Sequence, residues 1–174
     1  MNNWLRKTET TPLSGTVVTT YTYNAADQLV TARSSADAIT WHYTFDARGS
    51  LLRQTPGGTA PAAGEIRYSY DAAGQLVAVE LYVAGDYTTL ATATYNGQGE
   101  RTCLTTWAEG TPLTVTYGLA RGQPLVADDG SQTTRYLYGR GLVAESKGAV
   151  VYDLADGVGS VRLVVDENGV ITLT

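Results

Sequence analysis

One ten-residue pattern recurs along this 174-residue chain and constrains its fold more than any other feature. The pattern reads aromatic-x-aromatic-Asp/Asn-x-x-Gly-x-Leu-apolar, where x is any residue. Four copies lie at 21–30, 43–52, 68–77 and 93–102, and the last departs from the pattern at its first residue, Ala93, and at its end. Shorter copies without the acidic residue lie at 115–118 and 136–139. The second aromatic residues are spaced by 22, 25, 25, 22 and 21 residues, so the chain is built from repeats.

Each copy predicts a β-hairpin. In the third copy, Tyr68 and Tyr70 are two residues apart and therefore face the same side of a strand. Asp71 can accept hydrogen bonds from the backbone of a turn, and Gly74 can adopt a positive φ without steric cost. The apolar pair that follows starts the return strand. The first copy has Asp27 at the glycine position, a mild departure because Asp tolerates the left-handed region.

The recurring residues are interpreted as structural, because a catalytic pair occurs once whereas turn residues return with every repeat. They are Tyr21, Tyr23, Asp27, Tyr43, Phe45, Asp46, Gly49, Tyr68, Tyr70, Asp71, Gly74, Tyr95, Asn96 and Gly99. Further turn signals, such as Pro56–Gly58 and Asp128–Gly130, separate the copies. Two strands in each repeat predict an all-β fold of about a dozen strands in one antiparallel sheet.

Composition agrees with this interpretation and excludes several classes of protein. The chain has 19 Gly and 12 Tyr, is 17% charged and carries a net charge of −5, which argues against a helical bundle and against disorder. A single Cys excludes an intrachain disulfide. Scattered arginines and a pI near 4.7 argue against a nucleic-acid partner. Neither a membrane-spanning run nor a signal peptide is found, and the compartment stays open.

Lone reactive side chains give no convincing catalytic or metal site. His42 lies in a predicted strand without a second His or a Cys beside it, and Cys103 has no local signature of reactivity. Asp153, Asp156 and Asp166 lie near glycines but lack the EF-hand spacing, so we interpret them as turn residues. We therefore expect no enzymatic activity, no cofactor and no bound metal.

The repeats resemble the tyrosine-aspartate (YD) repeats of the Rhs family, which includes bacterial rearrangement-hotspot proteins, insecticidal toxin-complex subunits and the animal teneurins. The segment 152–169 resembles the start of the Rhs-associated core, which reads roughly Asp-x-x-Gly-Ser-x-Arg-x-x-x-Asp-x-x-Gly. The matching positions are Asp156, Gly159, Ser160, Arg162, Asp166 and Gly169. The resemblance implies a YD-repeat array over 1–150 and a core-like segment over 151–174, continuous with the same sheet.

In the family, the sheet spirals into a hollow shell that encloses a C-terminal toxic domain, or in teneurins forms an extracellular barrel used in adhesion. The resemblance therefore implies a curled, partial shell that encloses a toxin or effector cargo. Its partners would be further shell segments or a second copy joined through the sheet edges. Arg162 and Asp166 would make polar contacts that stabilise the shell. Both ends of the chain are expected to be cut from a longer array.

A second function stays open. Rows of Tyr and Trp side chains can stack on sugars or contact a protein, so the chain could be an adhesion or binding module. The position of the aromatic side chains distinguishes the two functions: burial favours the shell, and exposure on an open face favours binding.

Overall fold

The computed structural model describes residues 5–11, 15–58, 60–108, 110–139, 141–155 and 160–173. Over these residues the chain forms sixteen β-strands and no helix. No described segment could therefore cross a membrane as a helix. The chain divides into two compact units, Met1–Thr92 and Ala93–Thr174, and the boundary between them falls within the eighth strand.

The strands are short and regular. The first eight are β1 Arg6–Thr11, β2 Gly15–Tyr23, β3 Leu29–Ser34, β4 Thr40–Phe45, β5 Leu51–Pro56, β6 Ile66–Tyr70, β7 Leu76–Val83 and β8 Asp86–Tyr95. The remaining eight are β9 Arg101–Ala108, β10 Thr111–Ala120, β11 Gln123–Asp128, β12 Thr133–Tyr138, β13 Leu142–Lys147, β14 Ala149–Ala155, β15 Val161–Asp166 and β16 Ile171–Leu173.

Strand order in the sheet follows the order of the chain, and neighbouring strands are antiparallel. This confirms the predicted all-β, antiparallel fold. The strands outnumber the predicted dozen because β1 precedes the first copy of the repeat and β14, β15 and β16 follow the last. Short turns join successive strands, and a meander of this kind needs no crossover connection.

Few side chains are fully buried within either unit. Among the described residues, the buried apolar side chains are only those of Ala32, Ala127 and Ala144. Most other strand residues are half-buried, and large apolar side chains such as Leu137 remain 61% exposed. Backbone pairing and contacts between neighbouring strands must therefore supply stability that a packed core supplies elsewhere.

Threonine is suited to such a sheet. Its β-branched side chain favours extended backbone, and its hydroxyl can bond to a hydroxyl on the next strand. Three cross-strand hydroxyl pairs are short: Thr10–Thr16 at 3.1 Å, Thr22–Thr31 at 2.6 Å and Thr105–Thr114 at 2.9 Å. At these three pairs, threonine therefore makes a cross-strand hydrogen bond that valine could not make.

The turn between β11 and β12 is closed by a carboxylate. Asp129 Oδ1 accepts hydrogen bonds from the Ser131 hydroxyl at 2.7 Å, the Ser131 N–H at 2.9 Å and the Gln132 N–H at 2.7 Å. The bonds from Ser131 and Gln132 lower the pKa of Asp129 to about 2, and the Lys147 ammonium adds a smaller effect. The folded turn therefore binds the charged form of this carboxyl.

This pKa predicts an acid-dependent loss of stability. A carboxyl with a depressed folded pKa stabilises the protein above its unfolded pKa, near 3.8, and this contribution is lost as the pH falls to about 2. We expect Asp129→Asn to be less stable than the parent at neutral pH, and the difference to shrink on acidification. Urea unfolding at several pH values measures it, and a difference that does not change with pH contradicts the prediction.

Candidate functional site: repeat turns and a buried carboxylate

The aspartate or asparagine of each repeat closes the same hairpin loop. In the second copy, Asp46 Oδ1 accepts hydrogen bonds from the N–H groups of Arg48 at 2.9 Å and Ser50 at 2.8 Å. The Asp46 N–H donates to the carbonyl of Ser50 at 2.9 Å, and the Gly49 N–H donates to the carbonyl of Asp46 at 3.1 Å. Five residues make this arrangement: Asn24, Asp46, Asp71, Asn96 and Asp166.

The fourth residue of each loop adopts a positive φ. The angles are 60° at Asp27, 90° at Gly49, 84° at Gly74, 83° at Gly99 and 79° at Gly169. Glycine reaches this region without a Cβ clash, and aspartate is among the few other residues that tolerate it. Asp27 thus lies at the glycine position, and the acceptor in the first loop is Asn24.

Hydrogen bonding within the loop also fixes the charge of the aspartate. The N–H of Ser50 makes the largest contribution to lowering the pKa of Asp46, and the N–H groups of Arg48 and Gly49 and the Ser50 hydroxyl lower it further. The side chain is therefore an ionised acceptor committed to the turn. Such a group is poorly suited to act as a general acid.

The first three loops lie side by side at the same ends of the strands in the N-terminal unit. Arg48 in the second loop donates from Nη1 to the carbonyl of Ala72 in the third at 3.1 Å. A Cβ added to Gly49 would lie 3.3 Å from Nε2 of Gln28 in the first loop. The structure thus brings together the turn residues of separate repeats in a continuous row.

The signature aromatic residues of the N-terminal unit are half-buried on one face. Tyr21, Tyr43 and Tyr68 lie on β2, β4 and β6, so one strand separates each tyrosine from the next. Desolvation raises the pKa of Tyr43, and Tyr21 and Tyr68 add to the effect. Tyr70 donates a hydrogen bond to the carbonyl of Leu51 at 3.0 Å and so joins two hairpins. Tyr23 and Phe45 of this unit are also half-buried, and so is Tyr95 within the C-terminal unit.

The C-terminal signature is only partly within the described structure. Asp156 and Gly159 lie outside the described residues. Arg162 is exposed on β15, and Asp166 closes the β15–β16 hairpin as the fifth copy of the repeat loop. The sequence pattern assigned Asp166 and Gly169 to a core signature and not to a repeat, because the aromatic pair before them is replaced by Leu163 and Val165.

A buried carboxylate is the feature that sequence reasoning missed. Glu65, just before β6, is 0% exposed and is the largest fully buried side chain among the described residues. Its Oε2 accepts a hydrogen bond from the Thr55 hydroxyl at 3.1 Å, and its Oε1 lies 3.3 Å from Arg53 Nε and accepts from the Tyr87 hydroxyl. One side chain therefore ties the end of β5 to the start of β8.

A second ion pair, between Arg67 and Glu80, lies next to the contacts of Glu65. Arg67 on β6 bonds to Glu80 Oε2 on β7 through Nε and Nη2, both at 2.9 Å, and its guanidinium carbon lies 3.9 Å from the centroid of the Tyr87 ring. The Tyr82 ring packs edge-on against Tyr87 at 5.0 Å between centroids. The hydrogen bond to Glu65 raises the pKa of Tyr87. Together with Glu65 and its partners, these residues form a connected network of ion pairs, hydrogen bonds and ring contacts across β5–β8.

The two lone reactive side chains, His42 and Cys103, both lie half-buried on strands. His42 is half-buried on β4 beside the following loop, where a Cβ added to Gly58 would come 2.8 Å from His42 Nε2. Cys103 is half-buried on β9 and is paired in register with Thr116. The described residues contain no cluster of three or more side chains that could hold a metal ion.

Comparison with solved structures identifies the architecture. No protein-family model and no curated protein matches the chain. A TcdB2-TccC3 structure without its hypervariable C-terminal region matches with a TM-score of 0.56 and 19% identity, over 92% of this chain and 9% of that chain. This likeness shows the fold. The chain thus spans about a tenth of the length of the protein that it matches.

Two further structures match less well. A TcdB2-TccC3-TEV structure gives a TM-score of 0.45 at 17% identity, over 90% of this chain and 9% of that chain. A Photorhabdus luminescens Tc holotoxin pore gives a TM-score of 0.27 at 12% identity, over 89% of this chain and 14% of that chain.

The repeat loop predicts a difference between two substitutions at one position. Asp71→Ala removes the acceptor for the N–H groups of Ala73 and Gln75, so we expect it to lower the free energy of unfolding by about 1 kcal/mol. Asp71→Asn is the matched control, because Asn24 and Asn96 make the same loop, and it should cost much less. Urea unfolding measures both. Equal losses for the two variants would show that the acceptor oxygen is not what matters.

The buried carboxylate predicts a larger effect. Glu65→Ala leaves the Thr55 and Tyr87 hydroxyls and the Arg53 guanidinium without their acceptor, so we expect a loss of about 3 kcal/mol in the free energy of unfolding. Glu80→Ala breaks the more exposed pair with Arg67 and should cost less than about 1 kcal/mol. The same urea titration compares them, and a Glu80 effect equal to or larger than that of Glu65 refutes the ranking.

Proposed function

We propose that this chain is a non-enzymatic structural segment of a YD-repeat shell of the Rhs type, whose work is to enclose a C-terminal toxin or effector cargo. The fold likeness to TcdB2-TccC3 over 92% of the chain is the observation that carries the proposal. That protein has a hypervariable C-terminal region, absent from the matched structure, which agrees with a wall built to carry different cargoes.

The internal organisation supports a role as a wall. Five loops of the same kind close hairpins in series, and each depends on one acceptor side chain and one residue with positive φ. A sheet made this way grows by adding hairpins and does not need a separate core for each. Such a unit is suited to covering area, which is what an enclosing shell requires.

The use of titratable side chains supports a role without catalysis. Asp46 and Asp71 accept hydrogen bonds within their own loops, and Glu65 is enclosed by Thr55 and Tyr87. A catalytic acid or base needs an accessible position against a substrate. These carboxylates instead hold turns and strands in place.

Sheet edges suggest the partners. Within the described part of the chain, β1 pairs only with β2 and β16 pairs only with β15. A strand with one neighbour presents unpaired backbone donors and acceptors to any strand that approaches it. Further shell segments are therefore the proposed partners, with a second copy of the chain as the alternative.

Two predictions from the sequence stay predictions. One is the division into a repeat array over 1–150 and a core-like segment over 151–174; β14 runs across that boundary. The other is the alternative function as an adhesion or binding module that uses the Tyr and Trp rows.

A chimera tests the wall function. The aligned segment of the TcdB2-TccC3 chain is replaced by this chain, and the C-terminal region of the chimera is challenged with protease. We expect that region to be digested no faster than in the parent, because the inserted hairpins complete the wall. A chimera that lacks the segment is the control and should be digested faster.

Two results contradict the proposal. In the first, the chimera elutes like the parent, but its C-terminal region is cut as fast as in the control. In the second, the chimera fails to fold although this chain is folded by itself, which means that its hairpins cannot replace a shell segment.

A further inference from the structure

Two arginines in the N-terminal unit lie on either side of one threonine. In the antiparallel register, Thr20 on β2 pairs with Arg6 on β1 and with Arg33 on β3. Directly paired residues project from the same face of a sheet, so these three side chains share one face. Strands two positions apart are separated by about 10 Å. Both guanidinium groups can therefore reach one small group that lies above Thr20.

Neither arginine has a carboxylate partner. No ion pair of Arg6 or Arg33 is found among the described residues, and both side chains are exposed. The acidic residues nearest to them in the chain are engaged elsewhere. Glu9 pairs with Lys7 at 2.8 Å on the opposite face of β1, and Asp37 Oδ1 accepts a backbone N–H of its own turn at 3.0 Å.

A second pair of arginines shows how the same unit accommodates neighbouring positive charges. Arg53 on β5 and Arg67 on β6 are direct partners in the register. Each contacts a carboxylate: Arg53 lies 3.3 Å from Glu65, and Arg67 lies 2.9 Å from Glu80. Like charges close together on one face of a sheet are destabilising, and here the chain supplies an anion for each. It supplies none to the two arginines beside Thr20, which indicates an anion from outside the chain.

A cavity of about 450 Å³ lies beside Thr20 and Arg33. Its lining also includes Val18, Ser34, Ser35 and Ala38. Ser35 Oγ accepts a hydrogen bond from the Val18 N–H at 2.9 Å, and the Ser35 N–H donates to the Val18 carbonyl at 2.9 Å. These bonds hold the hydroxyl group at the wall of the cavity and leave its proton available to a ligand oxygen.

We propose that this site, made of Arg6, Thr20, Arg33 and Ser35, binds the phosphate group of a small phosphate monoester. The two guanidinium groups donate to the phosphate oxygens from opposite sides, and the two hydroxyls donate to the oxygen that faces the sheet. A phosphate monoester carries a charge of about −1.5 to −2 at neutral pH, which matches two arginines, whereas a carboxylate carries only −1.

The charge of the whole chain limits the size of the ligand. A net charge of −5 repels polyanions such as nucleic acids and anionic membranes, so a small soluble ester is favoured over either. The site does not rest on the proposed shell function, because all of its residues belong to the N-terminal unit.

Titration of the full chain with glycerol phosphate at low ionic strength, followed by calorimetry or by NMR shifts, tests the proposal. We expect saturable binding, and binding at least tenfold weaker for acetate and for glycerol. Acetate separates recognition of the phosphate group from pairing with any anion, and glycerol measures what the rest of the ester contributes.

Substitution of either arginine is the sharper test. Arg6→Gln and Arg33→Gln should each bind glycerol phosphate at least tenfold more weakly, because each removes one charged donor. In phosphate-free buffer, urea unfolding should find both variants no less stable than the parent, because each removes the repulsion between the two arginines. Arg135→Gln, at an exposed position on β12, changes the net charge equally and is the control that should leave binding unchanged.

Four results overturn the proposal. They are the absence of saturable glycerol phosphate binding to the folded chain, equal binding of acetate, unchanged binding by either folded arginine variant, and an equal loss of binding in Arg135→Gln. Vesicles that contain phosphatidic acid check the source of the phosphate group, and binding to them without binding of the soluble ester also contradicts the proposal.

Discussion

A side-chain oxygen that accepts two backbone N–H groups is the interaction on which this structure depends. In five loops, an Asp or Asn binds the N–H groups two and four residues ahead and so sets the direction of the return strand. Each loop leaves one residue at a positive φ, which is Asp27 once and glycine four times. The hairpins therefore carry their own folding information, and neighbouring strands are antiparallel as a consequence.

Local specification matters because burial contributes little in either unit. Three alanines are the buried apolar side chains of the described residues, so cross-strand contacts must hold the strands in register. Threonine pairs such as Thr22 and Thr31 serve this purpose on the surface. Glu65 is the exception: its carboxylate is fully buried and links Thr55, Arg53 and Tyr87, so it fixes strands that the shared turns do not connect.

Departures from the repeat have two different meanings. Asn96 for Asp, or Asp27 for Gly, keeps the geometry of the loop because each substitute can make the same contact or adopt the same φ. Arg101 for Leu keeps neither the apolar contact nor the burial, and it lies beside a cavity.

Sequence alone predicted the hairpins, their turns and the antiparallel sheet, because each turn is closed by contacts between residues two and four positions apart, such as Asp46 with Arg48 and Ser50. It did not identify the loop of Asp166 as a fifth copy, since Leu163 and Val165 replace the aromatic pair there. Glu65 was beyond reach for another reason: its partners Thr55 and Tyr87 lie 10 and 22 positions away, and only the strand register brings them together. The same register and the folding of adjacent turns bring Glu100, Arg101 and Tyr117 around one cavity. Local chemistry thus determined the repeating unit, and tertiary structure decided which of its variable positions meet.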